Sequence, residues 1–219
     1  MRATVFDMDG LLIDSEVLWH QAEVEIFGRL GVPLAEGDGR LTKGMYVDEV
    51  VRFWYARHPW EGESVAEVTD LLLARVGDLV EGVGRLLPGA QRAIDLASER
   101  GPVALASSTP RALIERCLGH FGLYESFATI HSADVEPFGK PHPGVFLAAA
   151  RALGVDAPAC LVFEDSSAGV IAAKAARMSV VAVPVLEDRS QAAFALADLV
   201  LDSLEDLSGD WLDEQFLGS

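Results

Sequence analysis

The sequence predicts an α/β protein: a mostly parallel sheet with helices on both faces, carrying a small all-helical insertion after its first strand. Three observations lead there. From residue 88 onward, short apolar runs alternate with amphipathic helical segments, the pattern of a parallel sheet covered on both sides. The apolar run ATVF at 3–6 stands far from the others and must join their sheet, because an isolated strand is not stable. Between 14 and about 86 the periodicity is helical, with no convincing strand.

The elements follow in order. ATVF (3–6) ends at Asp7. Residues 14–31 read as a helix with Asp14 or Ser15 as cap and Gly31 as stop. Helical periodicity covers 46–60 until Pro59 intervenes, and again covers 64–80. The segment 88–101 is a helix with Pro88 near its first turn and Gly101 at its end. VALAS (103–107) is a strand, 109–122 a helix opened by Thr-Pro, ATIH (128–131) a strand and 142–154 a helix. CLVFE (160–164) is a strand, 166–178 a helix, SVVAVP (179–184) a strand, and DLVLD (198–202) a last short one.

These elements divide the chain into a core of residues 1–13 and 87–219 and a helical cap of residues 14–86. In such sheets ligands bind at the carboxyl ends of the strands. The insertion leaves the sheet from that end, so the cleft is expected between cap and core.

Composition narrows the function. Half of the 219 residues are hydrophobic and 23% charged, a globular balance. The formal net charge is -17, from 34 acidic and 17 basic residues. That argues against nucleic acid and against an anionic membrane as partners. A small phosphorylated ligand remains compatible, because one divalent cation and a few local donors can hold it. Cys117 and Cys160 lack metal-like spacing and read as buried free thiols. The opening MRATVFDMDG turns acidic too early for a signal peptide, and a cytoplasmic monomer is expected.

Chemistry-bearing residues gather at the expected strand ends: Asp7 with Asp9, then Ser107, Ser108 and Thr109, then Glu164 with Asp165. Lys140 sits in a turn between Gly139 and Pro141. Each alone has a structural explanation as a turn residue, helix cap or solvated lysine. Together, carboxylates facing one cleft call for a cation, and oxygen ligands suit Mg2+. The lysine and hydroxyls suit a phosphate.

In this order FDMDGLLIDS (6–15), LASST (105–109), GKPHPGVF (139–146) and FEDSSAGV (163–170) resemble the four motifs of the haloacid dehalogenase superfamily, phosphatase branch. The resemblance spans essentially the whole chain and implies a Rossmann-like core. The cap position is similar to that of the β-phosphoglucomutase-like subgroup. It implies Asp7 as nucleophile, forming an aspartyl phosphate, and Asp9 as acid and then base. It implies Mg2+ held by Asp7, the backbone carbonyl of Asp9 and Asp165, with Glu164 reaching the metal through water. Ser107, Ser108 and Thr109 would hold phosphoryl oxygens, and Lys140 would neutralise nucleophile and phosphate.

GLLIDSEVLWHQAE (10–23), VRFWYARHPW (51–60) and VFEDSSAGVIAAKAARM (162–178) look closer still to bacterial phosphatases of 2-deoxyglucose 6-phosphate and hexitol phosphates, enzymes of carbohydrate metabolism. The implied substrate is a small sugar phosphate or sugar-alcohol phosphate. A sugar phosphomutase is the alternative, and a non-catalytic binding protein a third reading. Trp19 stands where the mutases carry a catalytic histidine, which weighs against the mutase. His20, one place on, is expected to face elsewhere. Tyr46 stands where the phosphatases carry arginine, a departure that leaves the particular sugar open. Trp19, His20, Tyr46 and Arg57 are candidate cap contacts to substrate, whereas Trp54, Tyr55 and Trp60 read first as core aromatics.

Overall fold

The computed structural model describes residues 1–35, 37–42 and 45–217. Among them are six parallel strands: β1 (Ala3–Phe6), β2 (Val103–Ser107), β3 (Thr129–Ser132), β4 (Cys160–Glu164), β5 (Ser179–Ala182) and β6 (Leu199–Val200). They lie in the order β3-β2-β1-β4-β5-β6. The chain therefore starts in the middle, with β1 paired to β2 on one side and β4 on the other. Strand order reverses at β1, and a crevice opens there at the carboxyl ends. Phe6 is level with Leu105 and with Phe163, so Asp7 and Glu164 emerge at one height, and Ser107 follows one residue further along β2.

Alternation along the strands splits the core into two packed faces. Phe6, Leu105, Leu161 and Phe163 face one side, where the rings of Phe6 and Phe163 stack at 4.8 Å. Val5, Ala104, Ala106 and Val162 face the other. The helices α4 (Ala90–Ser98), α5 (Arg111–His120), α6 (Gly144–Leu153), α7 (Ser167–Ala175) and α8 (Gly209–Leu217) complete this part. The sequence pattern does not foretell α8. It is secured by Arg100, which donates to Asp213 Oδ1 at 2.7 Å and to the Gly209 carbonyl at 3.2 Å.

Between β1 and α4 run α1 (Glu16–Arg29), α2 (Val47–Arg57) and α3 (Val65–Val83). Ser64 caps α3 and pairs with Glu67 in a capping box. Trp54 and Trp60 are buried against Phe27 of α1 and form the heart of this layer, whereas Tyr55, also read from sequence as core, is exposed and meets Trp60 ring edge to ring face at the surface. The layer's two connections to the sheet run side by side. Leu87 N–H donates to Leu12 O, Asp14 N–H to Arg85 O, and Ile13 bridges Leu86 antiparallel. No helix among the described residues is long and apolar enough to cross a membrane.

Candidate active site

A cavity of about 530 Å³ opens where the helical layer meets the strand ends. Asp7, Asp9, Ser107, Ser108, Thr109, Lys140, Glu164 and Asp165 line it from the sheet side. The centre is an ion-paired chain. Lys140 Nζ donates to Asp7 Oδ1 and to Glu164 Oε1, each at 2.6 Å, and to the Ala106 carbonyl at 3.2 Å. The other Glu164 oxygen accepts from Ser166 N–H at 2.7 Å and Ser166 Oγ at 2.9 Å. Glu164 is thus committed on both oxygens. It grips the lysine and the start of α7.

All three groups are buried. Burial pushes the Asp7 carboxyl up, with Glu164 and Asp9 adding to the rise, and the Lys140 ammonium at 2.6 Å opposes it. Burial acts to lower Lys140, but Asp7 and Glu164 outweigh it and hold the ammonium charged. Asp165, also buried, adds a third carboxylate, and oxygen atoms of Asp7, Glu164 and Asp165 lie within 4.8 Å of one another. One ammonium against three carboxylates leaves a surplus of negative charge. A hard divalent cation fits this donor set, since it would offset that surplus through oxygen ligands. Gly10, at φ +74°, makes room: a Cβ there would overlap Asp165 Oδ2. Any side chain at position 10 would close the space between the DxD turn and the end of β4.

Asp9 points away from this cluster. Its Oδ1 accepts from Ser15 Oγ at 2.7 Å and Trp19 Nε1 at 3.0 Å. Its Oδ2 accepts from Thr109 Oγ1 at 2.7 Å and Ser107 Oγ at 3.4 Å. The turn after β2 is braced in turn: Thr109 N–H donates to Ser107 Oγ, and Ser132 Oγ donates to the Thr109 carbonyl. An indole N–H can donate only, whereas hydroxyls can rotate to accept. Trp19 therefore keeps Oδ1 as an acceptor and leaves Oδ2 as the oxygen that can carry a proton.

The structure brings some expected residues together and leaves others apart. Ser107 and Thr109, read from sequence as phosphate ligands, line the cavity beside Asp7 and Lys140, and their hydroxyls also donate to Asp9. Ser108 Oγ is the buried hydroxyl of that trio with no hydrogen-bond partner. His20 does not face elsewhere; it lines the cavity beside Trp19. Arg57 is not at the cleft: its guanidinium lies 3.4 Å from the centroid of the Phe53 ring and donates to the Phe53 carbonyl, on the exposed side of α2. Tyr46 does not line the cavity. Its hydroxyl donates to the Ala133 carbonyl across the junction, and its ring packs on Gly139. Ser15, Ser132, Ser166 and Glu23 are contributors that sequence reasoning missed. For Glu23 a signal existed, because 16, 19, 20 and 23 share one helical face.

Two aspartates, a lysine and hydroxyls gathered at one switch point of a parallel sheet fit a hydrolase of the haloacid dehalogenase type. The family described as haloacid dehalogenase-like hydrolase matches residues 1–177, and the chain belongs to it. It is 46% identical over 208 residues to hexitol phosphatase B of Escherichia coli K12, covering 94% of each chain. It is similar in structure to CbbY from Rhodobacter sphaeroides, solved with phosphate, at TM-score 0.84 and 30% identity over 95% of this chain and 96% of that one. A β-phosphoglucomutase from Clostridium difficile matches at TM-score 0.84 and 25% identity, over 100% and 98%.

Proposed function

We propose that this enzyme is a magnesium-dependent phosphomonoesterase of small sugar phosphates or sugar-alcohol phosphates, acting as a cytoplasmic monomer through an aspartyl phosphate on Asp7. The observation that carries the reading is the pairing of buried Asp7 with Lys140 on one side of the cavity and a second, separately held carboxylate, Asp9, on the other. The identity with hexitol phosphatase B supports the substrate class.

In this reading residues 14–86 are a cap over the cleft. Asp7, the Asp9 carbonyl and Asp165 would hold Mg2+, with Glu164 supporting Lys140. The bound ion supplies charge neutralisation for nucleophile and phosphate. Lys140 shares that task, and Ser108 with nearby backbone N–H groups receives phosphoryl oxygens. Asp7 attacks phosphorus while the alkoxide leaving group takes the proton from Asp9. The Asp9 carboxylate then takes a proton from water. That water attacks the phosphorus, freeing Asp7 and orthophosphate.

The phosphomutase reading draws support from the β-phosphoglucomutase neighbour. The indole at position 19 counts against it, because that ring is spent on Asp9 and cannot act as a base. The test is a panel of hexose, deoxyhexose, hexitol and nucleotide monophosphates with Mg2+, scored for released phosphate and with glucose 1-phosphate included. Hexitol and hexose phosphates should head the panel and lose turnover on chelation. Asp7→Asn should show no covalent phosphate by rapid quench. Isomerisation of glucose 1-phosphate without phosphate release would favour the mutase, and a folded protein inert to the whole panel would end both readings.

A further inference from the structure

The face that α1 turns to the cavity carries Glu16, Trp19, His20 and Glu23. The apolar residues of the same helix, Leu18, Ala22, Ile26 and Phe27, pack into the core instead. Glu23 is only 8% exposed. It has no hydrogen-bond or ion-pair partner among the described residues. A buried carboxylate left in that condition is costly, and its position on the cavity wall marks where a ligand would satisfy it. Across the gap is the backbone at Gly39. A methyl built there would stand 3.5 Å from His20 Nδ1 and 3.9 Å from Glu23 Oε2. The absence of a side chain at 39 keeps a polar recess open between the two tips.

We propose that Glu23, with His20 beside it, is the subsite for the unphosphorylated end of the substrate. It takes a neutral, hydroxyl-rich chain and disfavours a second phosphate. This rests on the phosphomonoesterase reading above. Trp19 touches Asp9, which serves the leaving oxygen. Glu23 lies one turn further along α1, about 6 Å on, a span comparable with a hexitol chain. Hydroxyls donate to a carboxylate, and charge-assisted bonds of that kind are the strong ones. A phosphate placed there would face the Glu23 carboxylate and be repelled. Burial, with Glu16 adding, raises the Glu23 carboxyl to about 7, so near neutrality it can accept from one hydroxyl and donate to another.

The test compares wild type with the isosteric Glu23→Gln and with Glu23→Ala, each shown to be folded by its melting curve. Substrates are D-glucitol 6-phosphate, p-nitrophenyl phosphate and fructose 1,6-bisphosphate. In a parallel arm, calorimetry measures D-glucitol 6-phosphate binding to Asp7→Asn with and without Glu23→Gln. The ratio of kcat/KM for the glucitol ester to that for the aryl ester should fall about tenfold or more, mainly through KM. Binding should weaken by a similar factor, and the bisphosphate should gain relative to the glucitol ester. A common factor for all substrates, or no change, overturns the subsite and leaves the phosphatase reading standing. If wild type hydrolyses none of them, that reading fails by itself. The calorimetry still decides the subsite: equal affinities in the two backgrounds overturn it.

Discussion

The two walls of the cavity are built on opposite principles. At the sheet end, Asp7, Asp9, Lys140 and Glu164 are tied to one another or to a named hydroxyl or backbone group. On the helical wall, Glu23 is buried too but has no hydrogen-bond or ion-pair partner among the described residues. The first wall is preorganised, as charge development at phosphorus requires. The second holds an unspent acceptor, as recognition of a variable leaving group requires. Substitutions should therefore behave differently on the two walls: losses at the sheet end should be common to all substrates, and losses on α1 should sort them.

The largest effect is expected from Lys140→Met. It removes the cation between two buried carboxylates and strands both. Breaking a buried pair by deleting one partner typically costs about 3–5 kcal/mol. Urea unfolding should show that loss at pH 7, and turnover should vanish for aryl and sugar esters alike. A variant of wild-type stability would mean that Asp7 and Glu164 do not depend on Lys140.

Next comes the pH dependence of Glu23→Gln. The Glu23 carboxyl rises from 4.5 to about 7 on folding. The folded protein thus holds this proton over a range where the unfolded chain has released it. Below pH 4.5 both states are protonated and the cost is absent. It grows as pH rises through the window and is complete above 7. The shift corresponds to a cost on the order of 3 kcal/mol at pH 8. Glu23→Gln should melt near wild type at pH 5 and clearly above it at pH 8. A constant difference across that range would mean that the carboxylate is already solvated or paired.

This contrast between walls also explains what could be read from sequence. β2 (103–107) and β4 (160–164) are legible to the residue, because apolar runs end sharply at polar ones. Helix limits are overrun by a residue or more at most ends, as at 14–31 against Glu16–Arg29, since capping residues share the helical pattern. The helix Gly209–Leu217 escaped because its anchors, Arg100 to Asp213 and to the Gly209 carbonyl, are tertiary. The sheet-end residues could be found because each strand end fixes one position beside the switch point. Ser15 and Ser132 could not, because a serine that braces a neighbour looks like any cap. Arg57 misled because a basic residue near an aromatic cluster can sit on a ring at the surface as readily as in a cleft.

Trp19 belongs to both walls, since it stands on α1 and donates to Asp9. Trp19→Phe keeps the ring and loses the N–H. Asp9 would then be free to place its proton on either oxygen. An alkoxide leaving group depends on a correctly placed proton more than a phenolate does. The expected loss in kcat is roughly tenfold on D-glucitol 6-phosphate and smaller on p-nitrophenyl phosphate. Equal losses on both would assign Trp19 to packing alone.

The smallest effect concerns the contact that joins the two walls. The Tyr46 hydroxyl donates to the Ala133 carbonyl, while its ring rests on Gly139, next to Lys140. Tyr46→Phe keeps the ring and removes one hydrogen bond between the helical layer and the sheet layer. A neutral bond of this kind contributes about 0.5–1.5 kcal/mol net, or roughly a two- to tenfold change in how firmly the layers meet. Tyr46 does not line the cavity, so that change should reach every substrate through the same closing step. The expected result is a common decrease in kcat/KM for glucitol and aryl esters, with their ratio preserved. That is the opposite of the Glu23 pattern, in which the ratio moves. If Tyr46→Phe alters the ratio instead, position 46 reaches the substrate. The division between a joining residue and a recognising residue would then have to be redrawn along α2 rather than α1.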